Sequence, residues 1–192
     1  MQPASVGLVT VNGHESCLHP SALRGYLHAM SVAPTLAARF DILHLAQAMQ
    51  MSSALDAVPM NLTDAQWRQL AEYLQPVSLP QGQVLIERGV KDRTVYFVES
   101  GSLSVHFQDS RQRVRMAMVG AGSLLGEGAF FSHLPRSATV NAGSDCRVWS
   151  LTPLRFRELS TRHTEIALAL TVAMAAVLAR RMHNKPKRVA VT

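Results

Sequence analysis

Gly126-Glu127-Gly128-Ala129-Phe130-Phe131-Ser132-His133-Leu134-Pro135-Arg136-Ser137-Ala138-Thr139-Val140 is the stretch around which the rest of this sequence is organised. Small residues leading into a short helix leave backbone N–H groups open to an anion. Arg136 supplies a planar, permanently charged fork suited to phosphate oxygens. Glu127 repels a phosphate but accepts hydrogen bonds from sugar hydroxyls. One segment therefore predicts a ligand with both an anion and a hydroxyl pair, as in the sugar and phosphate of a nucleotide. The alternative is a plain turn in which Glu127 and Arg136 pair with each other.

The surroundings are strand-rich. Val84–Ile86, Thr94–Val98, Leu103–Phe107, Val114–Val119, Ala138–Val140 and Cys146–Leu151 alternate or run apolar over strand-like lengths. Turn signals fall between them at Gly82, Gly89, Ser100-Gly101, Asp109-Ser110 and Gly120-Ala121-Gly122. Many short strands with glycine at the corners predict a barrel or jelly roll. Ahead of them, Thr63-Asp64-Ala65-Gln66 has the pattern of a capping box, and Trp67, Leu70, Ala71 and Leu74 make one apolar helical face. Behind them, Thr152-Pro153 opens a short helix over Leu154–Leu159. A long helix from about Thr164 to His183 follows, apolar on nearly every side. Such a helix must be covered all round. That predicts a second copy packed along a two-fold axis, or else burial against the N-terminal residues.

Gly-Glu-x-Ala, five further residues and then Pro-Arg-Ser-Ala-Thr-Val closely resembles the phosphate-binding cassette of cyclic nucleotide-binding domains. This is the family of the sensor domain of the catabolite activator protein and of the regulatory subunit of cyclic-AMP-dependent protein kinase. The resemblance runs from about residue 62 to 185. It implies a mainly β fold with flanking helices: a double-stranded β-helix (jelly-roll) barrel with an N-terminal helical extension and a long C-terminal helix. The implied division is an extension over residues 1–61 and a binding domain over 62–192. It also implies roles. Glu127 meets the ribose 2′-hydroxyl, and Gly126 allows close backbone approach. Gly128 and Ala129 offer N–H groups to the cyclic phosphate, Arg136 neutralises it, and Ser137 adds a hydroxyl, with Ala138 next in line. The base lies against Val105, Met116 and Val119. The long helix forms a lid, represented by Arg181, with Arg180, Met182 and His183 fitting the register equally well. The family usually has an aliphatic residue where this chain has Gly128.

Composition bounds the reading. The 192 residues are 47% hydrophobic and 17% charged, enough for a real core. The net charge of +6 is uneven, because residues 151–192 hold eight Lys/Arg against Glu158 and Glu165 alone. Such a basic end reads first as a solvated helix terminus, where cations suit the dipole, and second as a contact for nucleic acid or an acidic partner. Cys17 and Cys146 lack metal or redox spacing, and the eight histidines show no ligand spacing, so no metal is expected. Nothing at the start looks like a secretory signal, which predicts the cytoplasm. The longest apolar run, Ile166 to Ala179, is too short to span a bilayer. Residues 1–60 are the least readable part. A strand is expected over Val6–Val11 with a turn at Asn12-Gly13, and helices over Leu18–Met30 and about Leu36–Leu55.

No Ser–His–Asp order, hydrolase metal pattern or lysine-containing P-loop is present, so a sensor is expected rather than an enzyme. The expected ligand is a cyclic nucleotide, cyclic AMP ahead of cyclic GMP, sensed by a dimer that signals to an unknown partner protein. After the long helix only Asn184–Thr192 remain, with Pro186 among them. They leave no room for the helix-turn-helix domain of transcriptional relatives, so DNA binding is not expected of this chain alone. The alternatives are a ligand-free interaction module of the same fold, or a truncated or tail-driven transcriptional regulator.

Overall fold

The computed structural model describes residues 10–11, 14–15, 40–54, 57–58, 60–108 and 113–183. The expected helix over Leu18–Met30 lies outside them, as does most of the strand expected from Val6. What is described there is β1 (Thr10–Val11) paired antiparallel with β2 (His14–Glu15), in a unit separate from residues 40–192.

The second unit runs α1 (Ile42–Met51), α2 (Asp64–Ala71), β3 (Gln75–Leu79), β4 (Val84–Ile86), β5 (Val95–Ser100), β6 (Ser102–Gln108), β7 (Val114–Gly120), β8 (Leu124–Leu125), α3 (Glu127–Ser132), β9 (Ala138–Ala142), β10 (Cys146–Leu151), α4 (Pro153–Arg162) and α5 (Thr164–His183). Its strands form two four-stranded antiparallel sheets, ordered β3-β10-β5-β8 and β4-β9-β6-β7. The fold is the expected jelly roll with helices at both ends. The capping box forms as read. The Gln66 amide donates to Thr63 Oγ1 at 3.3 Å, and the Thr63 amide donates to Gln66 Oε1 at 2.9 Å.

α1 changes the domain division. Asp41 caps it by accepting from the Leu43 amide at 2.9 Å. Its Ile42, Leu45, Ala46 and Met49 are buried in one cluster with Trp67, Phe97, Trp149, Leu170 and Met174. The compact unit therefore begins at Phe40, not at residue 62, because α1 spends its apolar stripe on the barrel's own core.

Pairing fixes which side chains look inward. β6 lies between β7 and β9, with Leu103 opposite Val119 and Ala142, Val105 opposite Ala117 and Val140, and Phe107 opposite Arg115 and Ala138. Opposed residues share a face. Leu103, Val119, Val140 and Ala142 are buried, so all three rows look inward. Ser104, His106, Met116 and Met118 share the other face.

α5 is long and apolar enough, by length and composition alone, to cross a membrane. Ile166, Ala167, Leu170, Ala173, Met174 and Val177 are instead buried against the core, which accounts for one side of the helix. The other side carries exposed Leu168, Val172 and Met182.

One buried carboxylate ties the first sheet together. Glu99, 4% exposed, accepts from Trp149 Nε1 at 2.7 Å and stands 2.7 Å from Arg147 Nε. Trp149→Phe removes that donor and puts a smaller ring in a buried site. A lost hydrogen bond to a buried charge costs roughly 1.5–3 kcal/mol, and urea denaturation will show a loss of at least that size.

Candidate functional site

The cassette begins with Gly126 in the left-handed region, φ 89°, which serves as N-cap of α3. A Cβ there would sit 2.4 Å from Arg136 Nη1 and 2.6 Å from the Thr94 carbonyl. In this fold Gly126 makes room for the protein's own guanidinium. Gly128, by contrast, has nothing within 4 Å of an added Cβ. The departure from the usual aliphatic residue therefore leaves open space and no strain. Gly128 and Ala129 stand in the first turn of α3, where no helical carbonyl faces their N–H groups.

Arg136 is buried, 4% exposed, and three groups hold it. Its Nη1 donates to the Gly126 carbonyl at 3.3 Å, and its Nη2 donates to the Thr94 carbonyl at 2.6 Å and to Asp92 Oδ2. Tyr96 adds its ring face, 5.9 Å from the guanidinium carbon. Asp92 is itself oriented by Thr94, which donates to Oδ1 through its amide at 3.0 Å and its hydroxyl at 2.7 Å. Partial burial alone would push the Asp92 carboxyl up. The bonds from Arg136 and Thr94, with the Arg136 charge, bring it net below its ordinary value and keep it ionised. Arg93 joins from the same loop, donating to the Phe130 carbonyl at 3.0 Å. Residues 92–94 thus grip the cassette at Phe130 and at Arg136.

An arginine has five N–H donors, and these three bonds use three of them. The buried Nε of Arg136 has no hydrogen-bond partner. Arg93, Arg147 (whose Nε faces Glu99 as an ion pair) and Arg180 share that feature, but Arg136 alone stands in the cassette. A buried cation with an unspent donor suits an acceptor oxygen.

Glu127 and Arg136 do not pair with each other. Glu127, 5% exposed, meets Arg181 of α5, with Oε2 2.6 Å from Nη1. Arg181 Nη2 also donates to the Leu124 carbonyl. This separates the four lid candidates. Arg181 closes over Glu127, Arg180 turns to the Ala57 carbonyl, and Met182 and His183 are exposed. A cleft of about 400 Å³ is lined by Gly128, Ala129, Phe131, Leu134 and Ser137 of the cassette and by Leu178 of α5, whereas Arg136 lines a separate recess of about 310 Å³ with Glu87, Val90 and Asp92.

The residues expected around a base divide. Val105 and Val119 share the inward wall, next to β9, which continues from the cassette through Ala138. Met116 does not share it. It pairs with His106 on the outward face, 38% exposed, and Ala117 takes the inward position. A strand's period of two separates neighbours by face, so Met116 is replaced by Ala117. Sequence reading also missed Asp92, Thr94 and Leu178. Asp92-x-Thr94 ahead of a strand is a local turn signal that could have marked the loop, but nothing in it points to Arg136.

Residues 76–163 match the family of the cyclic nucleotide-binding domain. The chain is 33% identical over 58% of its length to a cyclic nucleotide-gated potassium channel of Rhizobium etli, covering 30% of that protein. It is 31% identical over 57% of its length to the cAMP-activated global transcriptional regulator CRP of Haemophilus influenzae, covering 48% of it. The chain thus spans less than half of the curated relatives it matches here. Its fold is similar to a cyclic nucleotide-binding domain from Methylobacillus flagellatus, with TM-score 0.64 at 16% identity, over 78% of this chain and 87% of that one.

The two cassette glycines should respond oppositely. Gly126→Ala forces a left-handed alanine against Arg136 and should cost about 1–3 kcal/mol. Gly128→Ala fills open space on a helix and should be neutral or stabilising, by up to about 1 kcal/mol. Thermal unfolding of the pair checks both signs.

Proposed function

We propose that the jelly roll binds a cyclic nucleotide and passes its arrival through α5 to a partner. The observation that carries this is Arg136: a buried cation held by three protein acceptors, whose Nε has no hydrogen-bond partner, next in sequence to Ser137 of the cleft. Arg136, the hydroxyl of Ser137 and the N–H groups of Gly128 and Ala129 hold the cyclic phosphate. Glu127 accepts a ribose hydroxyl while Arg181 offsets its charge. Val105, Ala117 and Val119 support the base. The names of several relatives specify cyclic AMP, but the supporting wall is apolar and chooses neither purine by itself.

These residues bind and orient without chemistry, so the reading is a sensor and not an enzyme. Because Arg181 bridges α5 and Glu127, a ligand that engages Glu127 changes what holds the end of α5. That gives the differential interaction a population shift requires. The output surface is the outer stripe of α5. Leu168, Val172, Ala175, Ala179 and Met182 are exposed and fall at alternating steps of four and three, the spacing of a coiled-coil seam. A second copy packed along it gives a dimer of sensors. Ala57 is a further point of contact, since Arg180 donates to its carbonyl.

Calorimetric titration with cyclic AMP and cyclic GMP tests the ligand. Binding of at least one is expected. Ser137→Ala, which removes an exposed hydroxyl that the fold does not use, should weaken that binding by about two- to tenfold. Silence from both nucleotides would leave a ligand-free interaction module. Sedimentation equilibrium tests the seam: the wild type should be a dimer and Val172→Glu a monomer.

A further inference from the structure

The proposed ligand needs the first turn of α3 and the guanidinium of Arg136 to bear on one phosphate, so the spacing between them has to be set in advance. Chain connectivity does not set it, because the rest of α3 and a turn lie between the two. α3 also ends abruptly. His133, at φ 61°, stops it in the left-handed region. The Leu134 amide, which would continue the helical ladder to the Phe130 carbonyl, donates instead to Ser132 Oγ at 3.2 Å. The Phe130 carbonyl is thereby left without a helical partner.

Arg93 takes that carbonyl, donating from Nη2 at 3.0 Å. A ring of hydrogen bonds then closes through the site. The Phe130 amide donates to the Gly126 carbonyl at 3.1 Å, and the same carbonyl accepts from Arg136 Nη1 at 3.3 Å. Arg136 Nη2 returns to the Thr94 carbonyl at 2.6 Å, and Thr94 follows Arg93 in the chain. The Phe130 ring is buried and meets Phe156 of α4 edge-on at 5.3 Å, which seats the residue that Arg93 holds. Arg93 and Arg136 supply the side chains of the ring, and backbone supplies the rest. Arg136 is the proposed phosphate ligand, whereas Arg93 lies outside the cassette.

We propose that Arg93 is a positioning residue for the phosphate, an assignment that rests on the cyclic-nucleotide reading above. It acts through the Phe130 carbonyl, fixing α3 against Arg136. A cation at the carbonyl end of a helix also suits the dipole. Without Arg93 the ring opens, and α3 and Arg136 no longer share one geometry.

The test is calorimetric titration of the full chain with cyclic AMP and cyclic GMP, for the wild type, Arg93→Ala and Arg93→Lys, with phosphorus NMR of the bound nucleotide. Arg93→Ala should weaken the tighter nucleotide by about three- to tenfold and move its phosphorus resonance. Arg93→Lys, which restores a cationic donor, should recover most of both. Arg93→Gln stands in if the alanine variant does not fold, and should show the same changes at smaller size. Unchanged affinity in Arg93→Ala, or in its stand-in, overturns the proposal. So does a loss of affinity, equal in the alanine and lysine variants, that leaves the phosphorus resonance unmoved, as a merely structural role would give. Either of those results leaves cyclic-nucleotide binding standing. No heat from either nucleotide with the wild type overturns both.

Discussion

The site depends on the burial of one guanidinium. Taking Arg136 out of water is tolerable only if acceptors meet it, and the fold brings them from three places: the Gly126 carbonyl, the Thr94 carbonyl and the Asp92 carboxylate. That requirement explains the glycine that opens the cassette, where any side chain would strike the guanidinium. It explains why Asp92 is held twice by Thr94 before it meets Arg136. It also ties the loop ahead of β5 to a segment more than forty residues later in the chain. The arrangement is incomplete on one side, and a buried polar network with unspent donors is one the protein has reason to fill.

What could be read from the sequence was what the chain keeps close together. The cassette residues lie within fifteen positions, and their chemistry was legible from residue type alone. Most strands were legible because glycine and polar pairs punctuate them. β8, at two residues, is too short to carry a period, and β3 contains Pro76, which reads as a helix stop rather than as part of an edge strand.

Two failures share a physical cause. Val114, Met116, Ala117, Met118 and Val119 are all apolar, so β7 has no phase of its own. Only its pairing with β6 decides that Ala117 looks inward and Met116 outward. Likewise nothing local to Asp92 announces Arg136. Both are long-range facts, fixed by register and loop closure. α1 failed differently. Its composition was read correctly as helical, but its allegiance to the barrel depends on Trp149 and Leu170, far along the chain.

α5 carries several burdens along one length. Its inward side completes the core, its outer side is an unspent apolar stripe, and its last described turn pairs with Glu127 through Arg181. That last placement has a kinetic consequence. Helix ends open at far lower free energy than helix middles, and Arg181 stands two residues from His183, the last described residue of α5. Under the proposed function, fraying of that last described turn would admit and release the ligand while the core residues from Ile166 to Val177 stay packed. On and off rates then answer to the stability of that turn, and the resting affinity answers to the cassette. A substitution near His183 that stiffens the helix end would slow exchange in both directions with little change at equilibrium.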